Sequence, residues 1–286
     1  NGEKHLLHKW ELAKSLYPSD FSNKKYKQIA HNILINYNIR IVHVRHLIYH
    51  TYDFIYQAKE LGIKTILSFH DFYFICPTIH LLDENNIYCD GICSKTEGEC
   101  KTPYDFSKRI TELKNNWVNE WKNKVSTLID QVDYFITTSQ FTKEVYVKNY
   151  PKLKRKNFEI IVHGRDFFHT ANFVPKCAGS KIKILCPGNL GNNKGIEFIS
   201  RLIDFDKDQK IEIHTLGSLS KEALTLLKGR TINHGKYDRE DFHLFVNKIK
   251  PNFVGIFSIW PETYCHTLTE AWSCGIPVLI NSIGTS

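Results

Sequence analysis

The sequence predicts an α/β protein made of two doubly wound, parallel-sheet domains. Short β-branched runs alternate with helical stretches from Ile39 to the last residue, which is the pattern of repeated βαβ units. The 286 residues suit two domains at ~150 residues each. A stretch with neither helical nor strand period, Gly164 to Ser180, separates two such series, as a linker does. The expected division is residues 1–165, a linker at 166–180 and residues 181–286. Both ends read as incomplete, so the chain is expected to be part of a longer protein; it also contains no Met.

The expected strands are Ile39 to Val44, Thr65 to Phe69, Tyr134 to Thr137 and Glu159 to Val162 in the first series. In the second they are Ile182 to Cys186, Ile211 to Leu216, Phe253 to Ser258 and Pro277 to Ile280. Helices lie between them. Tyr52 to Leu61 is closed by Gly62, a left-handed cap, and Arg239 to Ile249 has Asp238 as N-cap and Pro251 just past its end. Open α/β sheets bind ligands beyond the carboxyl ends of their strands. Chemistry is therefore sought at His70-Asp71, Ser139, His163-Gly164, Gly188-Asn189, Gly217 and Pro261-Glu262.

Composition narrows the class. Apolar residues at 42% and charged residues at 24% exclude wholesale disorder and fibrous architectures. No apolar run approaches the ~20 residues that cross a bilayer, and the polar, basic first ten residues do not read as a signal peptide. Eight cysteines in a chain this long are too sparse for a small secreted disulfide scaffold, so a reducing cytoplasm is expected. The net charge of +8 is spread along the chain and favours polyanionic partners only weakly.

Two segments carry most of the chemistry. From Pro261 to Pro277, Glu262 follows a strand and Glu270 lies eight positions on, inside the next helix. A rise of ~1.5 Å per residue separates them by about 12 Å, roughly the span of a sugar, a diphosphate and a ribose. Each carboxylate accepts hydroxyl hydrogen bonds, and the helix-start amides between them suit the diphosphate. Read by itself, the pair is equally two solvated glutamates on a surface helix. Upstream, the strand Ile182 to Cys186 runs into Pro187-Gly188-Asn189-Leu190-Gly191-Asn192-Asn193-Lys194-Gly195. This Gly-rich loop lets backbone amides approach a phosphate while Lys194 adds a point charge, though it matches neither the P-loop nor the dinucleotide fingerprint.

Together these segments resemble the C-terminal half of GT-B glycosyltransferases, in particular the large retaining family with a Glu-x7-Glu motif. Ile41-Val42-His43-Val44-Arg45-His46-Leu47, Leu67-Ser68-Phe69-His70-Asp71-Phe72, Thr138-Ser139-Gln140-Phe141 and Val162-His163-Gly164 are similar to its N-terminal half. The resemblance implies sugar transfer from a nucleotide sugar to a glycan or lipid-linked acceptor, with retention, in bacterial surface polysaccharide synthesis. It implies that Glu262 and His70 act on the donor sugar, and that Gly188, Asn189, Lys194, Thr263, Tyr264 and Glu270 bind the donor, Glu270 holding the ribose and Lys194 the diphosphate. Asn189 departs from the pattern, which has Arg there. No metal is needed for this chemistry, because Lys194 and helix-start amides stabilise the leaving group. A nucleotide-sugar epimerase on the same fold, or a non-catalytic polyanion-binding module, are the competing readings; nucleic acid is not the expected partner.

Three further features call for an account. Asp204-Phe205-Asp206 matches the metal clamp of the GT-A fold but reads as a polar loop. Cys76, Cys89, Cys93 and Cys100 are candidate ligands of a structural zinc that would brace a polar insertion, with a disulfide or unlinked thiols as the alternatives. The basic, aromatic run Trp117 to Lys124 reads as a half-buried helix, or else as a peripheral contact with the inner face of a membrane.

Overall fold

The structure, a computed structural model, describes residues 20–83, 85–92, 117–167, 169–172 and 181–284. The first half contains α1 (Lys24–Asn36), β1 (Ile41–Val44), α2 (Asp53–Glu60), β2 (Lys64–Phe69), α3 (Trp117–Gln131), β3 (Tyr134–Thr137), α4 (Gln140–Asn149) and β4 (Asn157–Ile160). The second contains β5 (Ile182–Pro187), α5 (Ile196–Phe205), β6 (Ile211–Leu216), α6 (Lys221–Leu226), β7 (Ile232–Asn233), α7 (Phe242–Ile249), β8 (Phe253–Ile256), α8 (His266–Ser273) and β9 (Val278–Ile280).

The strands form two parallel sheets, ordered β1-β2-β3-β4 and β7-β6-β5-β8-β9. In the second, the chain steps outward from β5 to β7 and then returns to the other side of β5 for β8 and β9. This reversal creates a switch point between β5 and β8, where a crevice opens beyond the strand ends. The two neighbours are held in register by Ile184 opposite Phe253 and Leu185 opposite Val254. Buried on both faces, these strands read as continuous apolar runs: Leu185, Cys186 and Val254 are fully buried.

The core of the first half is aromatic. The Phe69 ring stacks on Tyr146 at 3.7 Å between centroids, and Phe135 stacks on Phe69 from the neighbouring strand at 5.6 Å. Trp260, which follows β8, joins this same core and meets Phe72 edge-on at 6.4 Å. A residue of the second half is thus buried in the first. That burial contributes on the order of 2 kcal/mol or more to holding the halves together.

Several expectations change in detail. Asp238 caps a short 3-10 turn, Arg239–Asp241, with no side-chain bond, and the helix proper starts at Phe242. The strand expected at Glu159 to Val162 is Asn157–Ile160, because the pairing with β3 runs from Asn157 opposite Tyr134 to Ile160 opposite Thr137. The two-residue β7 was not anticipated. Asp204 and Phe205 close α5 and Asp206 is its C-cap. Asp204 pairs with Arg230 at 2.5 Å and Asp206 accepts from the Ile211 amide at 2.6 Å, so both carboxylates serve the fold. The run from Trp117 to Lys124 starts α3; Val118 and Trp121 are buried and the Trp121 indole donates to the Tyr73 carbonyl at 3.1 Å. Trp121 is therefore a core residue, not a membrane anchor. No helix among the described residues is long and apolar enough to cross a membrane.

Candidate active site

The site is built on the switch point. After β5 the chain turns through Gly188, whose φ is +104°. Gly217, following β6, lies so close that a Cβ there would meet the Gly188 carbonyl oxygen at 2.2 Å. The Gly188 amide donates to the Leu216 carbonyl at 2.8 Å and the Leu190 amide to Ser218 at 2.8 Å. The Gly-rich loop is thereby fixed against its neighbour before it enters a 3-10 turn, Asn192–Lys194. From β8 the Ile259 amide donates to the Asn193 carbonyl at 3.1 Å, so the loops after β5 and β8 are joined.

Lys194 and Glu262 meet across this junction, with Nζ 2.5 Å from Oε1. The Glu262 carboxylate is only 7% exposed, and the Ser258 hydroxyl donates to the same oxygen. A carboxylate this buried needs such partners, since an unpaired charge inside a protein costs several kcal/mol. The segment carrying it is held from the other half. The Thr138 hydroxyl donates to the Thr263 carbonyl at 2.8 Å, and the Thr263 hydroxyl donates to the His70 carbonyl.

Glu270 lies four residues into α8 and is 5% exposed. Arg165 donates to its Oε1 at 3.1 Å, Arg239 lies 3.3 Å from the same oxygen, and the Tyr237 hydroxyl donates to Oε2 at 3.0 Å. Burial and the adjacent Glu270 push the Tyr237 phenol upward. Arg165 also donates to the His266 carbonyl and the Thr269 hydroxyl, both at 2.9 Å, and the Ala171 amide donates to Ser273 at 2.8 Å. The described part of the expected linker thus lies along α8. Beside it opens a 380 Å³ cavity lined by Arg165, His169, Arg239, His243 and Glu270, among others.

Glu262 itself is not helical. Only residues from His266 onward are in α8, with Cys265 extended at its N-cap, so a spacing reckoned as eight helical steps does not apply. The helix start faces the Gly-rich loop instead. A Cβ on Gly188 would lie 3.6 Å from the Thr267 methyl, leaving the first-turn amides of α8 beside the backbone of Gly188, an arrangement suited to an anion. Asn189 is exposed and accepts from the Ser218 hydroxyl at 2.5 Å.

Imidazoles gather where the halves meet. The His70 ring stacks on His163 at 5.7 Å; His163 meets Tyr264 at 4.7 Å and His266 at 5.5 Å. Burial, then the charges of Arg45 and His163, hold His70 down at about 4. Burial, then Arg165 and Arg239, hold His266 at about 4. Both rings are therefore neutral in the folded protein at pH 7. Between pH 6.5 and 4 the unfolded chain takes up protons that the folded state refuses, so stability is full above about 6.5 and falls as the pH drops. Urea midpoints measured from pH 7 to pH 4.5 should decline, and the decline should be shallower in His70→Asn/His266→Asn. Equal slopes would show that these rings do not set the acid limit.

The structure brings together Gly188, Lys194, Glu262, Thr263, Tyr264 and His70, with Glu270 further along α8. Cys76 is buried with Sγ 3.2 Å from the Thr78 hydroxyl, and Cys89 is half-buried. Cys93 and Cys100 lie outside the described residues. No group of three or more His, Cys, Asp or Glu able to hold a metal occurs among the described residues. Arg165, Tyr237, Arg239 and Ser258 were not singled out by sequence, and Thr138 only as part of the Thr138-Ser139-Gln140-Phe141 motif. Arg165, Tyr237, Arg239 and Thr138 act through contacts between residues distant in the chain; Ser258 reaches Glu262 only four residues on, and its position at a strand end hinted at its role.

The sequence profile of Glycosyltransferase Family 4 matches residues 14–167. No curated protein sequence matches the chain. Among solved structures, the chain is similar to the pneumococcal O-GlcNAc transferase GtfA in complex with UDP and GlcNAc, at 14% identity and TM-score 0.56, over 91% of this chain and 46% of that one. It is similar to a glycosyltransferase from Rickettsia africae at 17% identity and TM-score 0.58, over 93% and 65%. It is also similar to Anabaena HepE in complex with UDP and glucose, at 14% identity and TM-score 0.54, over 91% and 62%. The chain therefore spans less than two thirds of each of these structures, and at such identities the likeness shows the fold, GT-B.

Proposed function

The chain belongs to glycosyltransferase family 4, and from that premise we propose that it transfers a sugar from a nucleoside-diphosphate sugar to a glycan or lipid-linked acceptor, with retention, in the synthesis of a surface polysaccharide. The observation that carries this reading is the Lys194–Glu262 pair at the switch point. It sets a cation for the diphosphate and a carboxylate for the sugar hydroxyls side by side, next to the helix-start amides of α8. UDP is the first nucleotide to test, because the pneumococcal and Anabaena structures hold it.

In this scheme the bond between the sugar anomeric carbon and the β-phosphate oxygen breaks, and the diphosphate leaves with the electron pair. Lys194 and the amides at the α8 start stabilise that growing charge, where fixed dipoles and charges are most effective. The acceptor hydroxyl forms the new bond to the same carbon, and its proton passes to the departing phosphate. Glu262 orients the donor sugar. Glu270 takes the ribose: its two oxygens offer about four acceptor sites, and Arg165, Arg239 and Tyr237 occupy three. Arg239 is 61% exposed and can swing away to free another.

Calorimetry with UDP tests the reading. At 100 times its dissociation constant, UDP should stabilise the protein by ~2.7 kcal/mol. Lys194→Gln keeps a donor toward Glu262 but removes the charge, and should weaken UDP about tenfold, since a hydrogen bond to a charged group is worth ~1.5 kcal/mol or more. An unchanged UDP affinity in that variant would dismiss the phosphate role of Lys194, and no response to any nucleoside diphosphate or nucleotide sugar would dismiss the function.

A further inference from the structure

One charged group at the meeting of the halves takes no part in the donor chemistry. Arg45 directly follows β1, and the β1–β2 register, with Val44 opposite Leu67, places it on the same sheet rim as His70, which follows β2. Arg45 is exposed, and among the described residues no carboxylate pairs with it. His70 Nε2 is buried and has no hydrogen-bond partner. His163, stacked on His70 at 5.7 Å, supplies a second ring beside it. The Arg45 charge reaches His43, His70 and His163 and, after burial, is the next cause that lowers all three.

The carboxylate whose charge reaches His70 is Asp71. It lies 3.0 Å from His46 and also accepts from the Tyr73 amide at 2.8 Å. The cluster thus holds a guanidinium with no carboxylate partner among the described residues and an unsatisfied imidazole nitrogen, at the edge of the cleft contributed by the first sheet. A neutral sugar hydroxyl would not balance a guanidinium; an oxyanion would, through charge-assisted hydrogen bonds.

We propose that Arg45, His70 Nε2 and His163 form an oxyanion site on the first-sheet side of the cleft, that the acceptor is the ligand that brings the phosphate or carboxylate to it, and that His70 thereby serves the acceptor rather than the donor sugar on which the resemblance placed it. The inference rests on the transferase reading for the word acceptor, but the site itself does not. It narrows the acceptor to one carrying an anionic group close to the hydroxyl that is glycosylated.

The test uses inorganic phosphate as the probe, with histidine ring resonances observed by NMR in protein saturated with UDP. Phosphate should shift the His70 and His163 signals with UDP in place. Arg45→Gln should weaken phosphate at least tenfold and leave UDP affinity within twofold, while Arg45→Lys should retain most of the phosphate binding. If phosphate competes with UDP and Arg45→Gln weakens UDP itself, the oxyanion comes from the donor diphosphate and the acceptor assignment is overturned. If Arg45→Gln leaves phosphate binding unchanged, or the rings do not respond, the site is overturned. Should UDP fail to bind, the same titration run without it still reads the oxyanion site, so failure of the transferase reading is distinguishable from failure of this one.

Discussion

Glu262→Gln is expected to lower the rate of sugar transfer by about 10²–10³-fold while leaving UDP affinity nearly unchanged. The size follows from what is removed. A buried carboxylate aimed at a group that gains charge in the transition state is worth as much as a single preorganised donor in an oxyanion hole, ~3 kcal/mol. The amide keeps the shape and still accepts from Ser258 and Lys194, so the packing of the loop after β8 survives. It loses the charge that strengthens the hydrogen bonds to the sugar hydroxyls. UDP has no such sugar, and its phosphates face Lys194, which without an anionic neighbour is freer to turn toward them. Steady-state transfer, paired with UDP calorimetry on the same variant, checks both halves. Wild-type turnover would remove Glu262 from the site, and a parallel fall in UDP affinity would show that the substitution had disturbed the loop.

The fold was legible because its signals are local. Short β-branched runs and Gly62 as a left-handed cap report on neighbours only a few residues away; Ser139, read only for its place after a strand, also caps α4, where it accepts from the Thr142 amide at 3.2 Å. The positions of Lys194 and Glu262 at strand ends were legible for the same reason. Their ion pair was not, since it depends on β5 and β8 being adjacent, which is decided by the order of winding. Glu270 illustrates the limit more sharply. Its place in a helix was readable, but Arg165, which reaches it from 105 positions upstream, lies in a segment with no periodicity at all. Trp260 reads as the end of an apolar run after a strand, and nothing near it in sequence says that it is buried in the other half. Local patterning fixes which residues form elements; the partners of buried charges are fixed by topology.

Gly195→Ala is expected to destabilise the protein by about 2–5 kcal/mol and to weaken UDP more than tenfold, although residue 195 carries no functional side chain. Gly195 has φ +72° and ψ 35°, a left-handed conformation that costs an L-residue about 1–2 kcal/mol. Space adds a second penalty. A Cβ there would lie 2.0 Å from the Phe257 carbonyl oxygen and 2.9 Å from its carbon. Both are backbone atoms just past β8, so they cannot rotate aside, and overpacking of this kind costs a further ~1–3 kcal/mol. The loop can relieve the clash only by moving away from β8, and that motion would carry Lys194, the preceding residue, off Glu262 and out of the phosphate position. Gly229 is the control, because it shares the conformation at φ +69° but has nothing within 4 Å of a Cβ. Gly229→Ala should therefore show only the conformational part, about 1–2 kcal/mol, with UDP affinity intact. Urea unfolding and UDP calorimetry on the two variants separate backbone strain from close approach. If Gly195→Ala behaves like Gly229→Ala in both measurements, contact between the Gly-rich loop and β8 does not position Lys194.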